Sequence, residues 1–368
     1  MGKWMNGYLE KLAANRQENL AAGGKDRINL QHKFGKLTAR ERIERLADPG
    51  SFEEIGSVVR EFRMGLENEA RPSPSDGVVM GLVNINGNPA MVYALDFTVM
   101  SGAIGDQGVW KIAELVQMAG QERIPIIGMF DSAGSRISFK NGYVGLNGLG
   151  RLLRNYCLYS GVIPQIAMVL GPCTGPMAQV PVLSDFLIFN QNTGFLWFGG
   201  QINSDDAGSA DFHMEKSGQC DLLADSDDEA VKLARRLLEF TPQNCWEKPT
   251  IIESTDDPQR QEEALLDVMP DDPKFTYDIH EIIDLIVDNG EFFELKEDFA
   301  PNMVIGLARF DGIPAGIAAS NPDELSGIME PNSSDKYDRF IMFLDAFNTV
   351  SYTHLTLPTN RVAGGGGG

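Results

Sequence analysis

From Gly77 onward the spacing of apolar positions keeps switching between the periods of strands and helices. Residues 78–85 and 90–95 are dense in Val, Ile, Leu and Met and predict two strands. Across 106–120 the apolar residues, clearest from Trp110 to Ala119, fall three and four apart and predict a helix. The continuous run Ile124-Pro125-Ile126-Ile127-Gly128-Met129-Phe130 predicts a buried strand. A helix over 145–160, a strand over Gln165–Leu170, an apolar unit at 186–190 and a helix over 227–239 follow. Strands alternating with helices make an α/β domain. Upstream, residues 1–48 read as charged and helical, stopped by Asp48-Pro49-Gly50. Residues 61–76 form a polar linker, and Thr241–Pro273, rich in proline and acidic residues, reads as an interdomain connection.

Part of this pattern occurs twice. Gly81-Leu82, Gly87 and Ser101-Gly102 recur as Gly306-Leu307, Gly312 and Ser326-Gly327, each 225 residues later. A helical pattern follows both copies, from Lys336 to Ala346 in the second. So long a period indicates a duplicated domain rather than a solenoid. The counterpart of the 124–130 strand falls at 349–355, where the apolar pattern stops. Ser351 to Thr359 back-translates as TCT TAT ACA CAT CTG ACG CTG CCG ACG, a transposon-end adapter, and Gly364 to Gly368 match empty G reads. A flexible glycine tail is the bland alternative. The adapter reading makes residues 351–368 a sequencing artefact, ends natural sequence near Asn348 and leaves the second domain truncated. It predicts an inactive chain. The expected partition is 1–60, an N-terminal helical segment; 61–245, a first domain; 246–273, a linker; and 274–350, the start of a second domain.

Composition narrows the class. No apolar run approaches the ~20 residues of a membrane span, and no signal-peptide core follows Met1, so a soluble cytoplasmic protein is expected. Four cysteines without CxxC spacing make a metal site unexpected and suit a reducing compartment. A formal charge of −21 argues against nucleic acid as a partner. It leaves room for an anionic small ligand at a local basic cluster or helix N-terminus.

Three small-residue turns follow predicted strands: Phe97–Gly105, containing Ser101, Gly102 and Ala103; Asp131–Arg136; and Gly171–Ala178. Each runs into a helix, so its backbone N–H groups are open to a ligand. Such donors suit a thioester carbonyl that becomes an enolate; ordinary caps or tight turns are the structural alternative.

The collinear set of motifs resembles the carboxyltransferase subunit of biotin-dependent acyl-CoA carboxylases over about residues 8 to 348. It includes Gly35-Lys36-Leu37-Thr38-Ala39-Arg40-Glu41-Arg42, Asp48-Pro49-Gly50-Ser51-Phe52, Asp131-Ser132-Ala133-Gly134-Ser135-Arg136 and Ser160-Gly161-Val162-Ile163-Pro164-Gln165, running into Gly171-Pro172-Cys173. Glu291-Phe292-Phe293-Glu294 and Asn332-Ser333-Ser334 continue it. The resemblance implies a duplicated crotonase-like α/β superfold of ββα units. It implies transfer of a carboxyl group between carboxybiotin and the α carbon of an acyl-CoA of the propionyl or acetyl class. Biotin's own enolate would take the proton, and the protein would supply oxyanion holes. The implied partners are biotin carboxylase and biotin carboxyl carrier protein, in a homo-oligomer, a hexamer by resemblance.

By family position the acyl-CoA oxyanion hole falls at Gly175-Pro176-Met177, with Ser132, Ala133, Gly134, Ser135 and Arg136 lining the pocket. Where the family has Ala-Gly-Gly-Ala this chain has Thr174-Gly175-Pro176-Met177. Proline carries no N–H, so the hole must use Gly175 or Met177; losing one such donor costs roughly 3 kcal/mol in the transition state. Lys36 and Arg40 belong to a basic cluster that either meets the coenzyme A phosphates or forms a solvated face with i,i+4 pairs Arg40–Glu44 and Glu41–Arg45. His213 matches a family position, though a lone histidine is more often structural. Phe195–Phe198 reads as core or subunit interface. Other readings are the same subunit in a sodium-pumping biotin-dependent decarboxylase, a noncatalytic acyl-CoA-binding subunit, or a hydrolase with Ser132 as nucleophile.

Overall fold

The computed structural model describes residues 3–60, 73–136, 141–199, 206–257, 260–272 and 275–352, side chains 141–147 excepted, and divides the chain into two units, Met1–Glu247 and Lys248–Gly368. The first unit opens with three helices, α1 (Lys3–Ala21), α2 (Lys25–Lys33) and α3 (Ala39–Leu46). The stretch read as continuously helical is broken where Ala22, Gly24 and Gly35 take positive φ. Helix α3 restarts on a capping box: Thr38 Oγ1 accepts the Glu41 N–H, and the Glu41 carboxylate accepts the Thr38 N–H.

Strand β1 (Glu53–Glu54) pairs antiparallel with β2 (Val78–Ile85), which turns into β3 (Asn88–Leu95). The turn is Asn86-Gly87, both with positive φ, the two-residue form that matches strand twist. Helix α4 (Asp106–Glu122) leads to β4 (Ile126–Ser132), α5 (Asn141–Tyr159) to β5 (Gln165–Thr174), and α6 (Gln179–Leu183) to β6 (Phe186–Asn190). Strands β7 (Phe195–Trp197) and β8 (Leu222–Ala224) precede α7 (Asp227–Phe240). The sheet order is β1-β2-β3-β4-β5-β6-β8, with β7 beside the end of β5. Every pairing from β3 onward is parallel, so the turns after β3, β4 and β5 gather at one edge. Buried Tyr93, Ile112, Leu115, Phe130, Tyr156 and Phe189 fill the core between sheet and helices. Strand β5 runs past the expected Leu170 because β7 pairs with Pro172–Thr174; the third turn therefore begins only at Gly175.

The second unit contains α8 (Leu265–Val268), α9 (Ile279–Ile286), β9 (Phe293–Leu295), β10 (Met303–Phe310), β11 (Ile313–Ser320), α10 (Pro331–Ala346) and β12 (Val350–Tyr352). Its sheet runs β12-β11-β10-β9. β10, β11 and α10 each start 225 residues after β2, β3 and α4. The parallel pair Gly316↔Ser351 repeats Met91↔Ile126 at that same offset, so a strand forms where the apolar pattern stops. Residues 353–368, the rest of the segment read as adapter, lie outside the described residues. Upstream the equivalence continues at an offset of 240: Glu294↔Gly306 matches Glu54↔Gly81, and the N-cap Asp278 of α9 matches Thr38 of α3.

Candidate active site

The first two turns at the sheet edge are hydrogen-bonded to each other. Ala133 N–H donates to the Ser101 carbonyl (3.0 Å), Ile104 N–H to Gly134 (2.9 Å) and Arg136 N–H to Ile104 (2.8 Å). The Ser132 hydroxyl donates to the Gly102 carbonyl (2.7 Å) and accepts the Gly134 N–H (3.1 Å). Gly134 lies against Thr174, the last residue before the third turn. Met100, Ser101 and Gly102 are successively left-handed, a sparsely populated conformation held in place by this packing.

Beneath the second turn lies a buried charge network. The fully buried Asp131 carboxylate accepts Lys36 Nζ (2.8 Å), Arg42 Nη1 (3.0 Å) and Gln31 Nε2 (2.8 Å). Arg42 Nε reaches Asp227 (2.8 Å), whose other oxygen accepts Asn190 Nδ2 (2.9 Å). Two cations and two carboxylates balance, the condition under which buried charge is tolerated. A Cβ at Gly171 would overlap the Asp131 carboxylate, so that position must be glycine. Burial pulls the Lys36 ammonium below its ordinary range, although Asp131 opposes the shift. Lys36 also stands 4.1 Å over the Phe97 ring, linking the first turn to the second. Arg42 is shifted the other way: burial disfavours its charge, but Asp131 and Asp227 outweigh it.

Ser132, Gly134 and Arg136 are buried, while Ala133 and Ser135 are exposed. Arg136 is held by Asp76 (2.5 Å) and the Ala103 carbonyl (3.0 Å). Lys36 is committed to Asp131, and Arg40 to Glu54 (2.8 Å) rather than Glu44. Glu41 meets His32 and Arg45 meets Asp228, so the i,i+4 pairs expected on α3 give way to tertiary partners. Gly175 (φ +65°) opens a 3₁₀ turn through Ala178, with Pro176 early in it, where a missing N–H is tolerated. In such a turn the N–H of Met177 points back toward the Thr174 carbonyl, which leaves Gly175 as the outward donor. Met177 itself is buried in the core.

No nucleophile–base pair forms from these groups. Ser132 is buried and bonded to main chain, which removes the support for a hydrolase. His213 stacks on Phe189; its Nε2 faces the Leu196 carbonyl (3.1 Å) and its Nδ1 the Ser217 hydroxyl (2.8 Å). Burial lowers its pKa, so it is a neutral strut for β7. What the edge offers is oriented backbone. Among the described residues no three His, Cys, Asp or Glu groups assemble as a metal site, and no helix is long and apolar enough to cross a membrane.

The duplicated α/β fold is the crotonase-like fold of carboxyltransferases. The carboxyl transferase domain profile matches residues 30–350, and the chain belongs to that family. It is 36% identical over 366 residues to the propionyl-CoA carboxylase carboxyltransferase subunit of Haloferax mediterranei, covering 96% of this chain and 70% of that one. It is 35% identical over 360 residues to the methylmalonyl-CoA decarboxylase subunit alpha of Veillonella parvula, covering 94% and 70%. A crystal structure of transcarboxylase 12S, described as a hexamer with hydrolysed methylmalonyl-coenzyme A bound, superposes with a TM-score of 0.89 at 35% identity, covering 95% and 71%.

Gln31 and Asp227, which help hold the second turn, carry no motif in the sequence, and Arg42, a member of the basic cluster read as phosphate-binding or solvated, is buried in that network instead. Arg42 carried a signal: it stands beside Ile43 and four residues before Leu46, both buried.

Proposed function

We propose that the chain is the carboxyltransferase subunit of a cytoplasmic, biotin-dependent complex acting on propionyl-CoA and methylmalonyl-CoA. Biotin carboxylase and a biotin carboxyl carrier protein supply the carboxyl group, and the subunit works as a homo-oligomer. The observation that carries this reading is the bonding of the first two turns to each other beside Thr174, after which Gly175 opens the third: main-chain donors without a nucleophile among the described residues. The Gly175 N–H holds the thioester oxygen as negative charge develops, and the Asp131 network holds Ser132–Arg136 beside it. Carboxybiotin, when delivered, supplies the carboxyl group, and its own ring accepts the substrate proton.

The decarboxylase direction is kept as a second reading because a methylmalonyl-CoA decarboxylase subunit is as similar as the carboxylase subunits. Isothermal titration of the chain with propionyl-CoA, methylmalonyl-CoA and free coenzyme A tests the acyl-CoA site. Both thioesters should bind more tightly than free coenzyme A. Equal affinity for all three, or no binding, overturns the assignment. Biotin-dependent loss of carboxylate from methylmalonyl-CoA then tests transfer.

A further inference from the structure

Pro176 removes one main-chain N–H from the turn that would bind the thioester, and the 3₁₀ geometry leaves only Gly175 facing outward. One polar hydrogen close to that turn has no partner. Trp197 ends β7, and its register partner across the parallel pair is Thr174, the residue directly before Gly175. Register partners in parallel strands project to the same face, so the indole shares the face from which Thr174 Oγ1 approaches Gly134 of the second turn. Trp197 Nε1 is sealed from solvent yet its N–H donates to no acceptor among the described residues. Buried indole N–H groups ordinarily find an acceptor, and leaving one unmet is destabilising.

The strand that carries it is held firmly. Leu196 N–H donates to the Gly208 carbonyl (2.8 Å), and the Leu196 carbonyl accepts His213 Nε2 (3.1 Å). Phe195 bridges Ser209. A donor on a braced strand, beside a turn that lacks one, is suited to a ligand acceptor.

We propose that the Trp197 indole N–H is the second hydrogen-bond donor to the acyl-CoA thioester oxygen, standing in for the N–H that Pro176 cannot supply. The inference rests on the carboxyltransferase reading of this site. It recasts Pro176 as half of a paired exchange, in which a side-chain donor replaces a main-chain one.

The test is a titration of ¹⁵N-indole-labelled chain, whose four tryptophans give four N–H resonances. Phe variants at Trp4, Trp110 and Trp246 assign the fourth to Trp197 even if Trp197→Phe does not fold. Propionyl-CoA should move the Trp197 resonance downfield, while S-propyl-CoA, a thioether without the carbonyl, should bind and leave it in place. Trp197→Phe should weaken propionyl-CoA roughly tenfold and leave the thioether unchanged. Propionyl-CoA binding with no shift, or with the same shift as the thioether, overturns the role of Trp197 and leaves the carboxyltransferase reading standing. Failure of the unmodified chain to bind either ligand removes that reading, and this inference with it.

Discussion

The two units build the same hairpin and helix, yet charge is used differently around them. In both, a lysine on the buried face of the crossover helix caps carbonyls at the sheet edge. Lys111 donates to Ser75 and Val78, and Lys336 to Lys296 and Phe299. Burial lowers both ammonium groups to about 8, against the pull of Glu54 in one unit and Glu294 in the other. Those glutamates meet cations at matching positions, Arg40 in the first unit and His280 in the second. The units part at Arg42, whose counterpart at the 240 offset is Ile282, an apolar core residue. The duplicated parts maintain the architecture. Arg42, with its buried partners Asp131 and Asp227, has an apolar residue as its counterpart and braces the second turn of the first unit.

The largest effect should come from breaking what is unmatched. Arg42→Leu leaves buried Asp227 without a cation and Asp131 with Lys36 alone, and should cost about 3–5 kcal/mol by urea denaturation, whereas Ile282→Leu should cost about 1 kcal/mol. Equal losses would make the network ordinary packing.

The matched lysines should behave alike. Lys111→Met and Lys336→Met each strand two buried carbonyls and should cost about 2–3 kcal/mol, read in each unit by hydrogen exchange at β2–β3 and β10–β11. Loss in only one unit would break the equivalence.

Glycines at the equivalent turns should differ. A Cβ at Gly102 would overlap the Asp131 carbonyl, while at Gly327 the nearest atoms are 3.4 Å or more away. Both have φ +66°, so Gly327→Ala should show only the backbone penalty, about 1 kcal/mol, and Gly102→Ala should lose more, along with acyl-CoA binding. Melting temperatures and the calorimetric titration check both.

The smallest difference is one of pH. His280 faces Asp278 at Nδ1 (2.6 Å) and Glu294 at Nε2 (2.9 Å), so both ring nitrogens have a carboxylate to donate to. Burial opposes its charge, but these two carboxylates leave its pKa raised. A raised folded pKa contributes stability that is full below the unfolded value near 6.5 and is lost as pH rises through the folded value. His280→Arg should therefore flatten the second unit's stability between about pH 6 and 8 by less than 1 kcal/mol, followed by denaturation at stepped pH. An unchanged slope would show that the histidine is not charged there.

The repeat was legible because its landmarks are turn residues, Gly87 with Gly312 and Ser101-Gly102 with Ser326-Gly327, whose backbone geometry admits few substitutes. Its upstream extension was hidden because the spacing jumps between β1 and β2 and because Arg40 and His280, or Arg42 and Ile282, do not look alike. The three turns were legible as small residues after apolar runs. That the first two interlock, and that Lys36 and Arg136 are taken up by Asp131 and Asp76, depends on pairings 60 to 95 residues apart. Trp197 was hidden for the same reason: an orphan indole exists only once β7 is laid against β5.

The hairpin tie records an order of events. Asp48 accepts the N–H groups of Asn86 and Gly87, and Asp288 accepts those of Asp311 and Gly312. The same carboxylate-to-turn bond in both halves, across loops of different length, is most simply inherited from a single ancestral half. It is older than the copying event; Arg42, present on one side alone, records a later divergence between the halves. Contacts shared by both halves thus predate the copying event, and those at positions where the halves differ follow it.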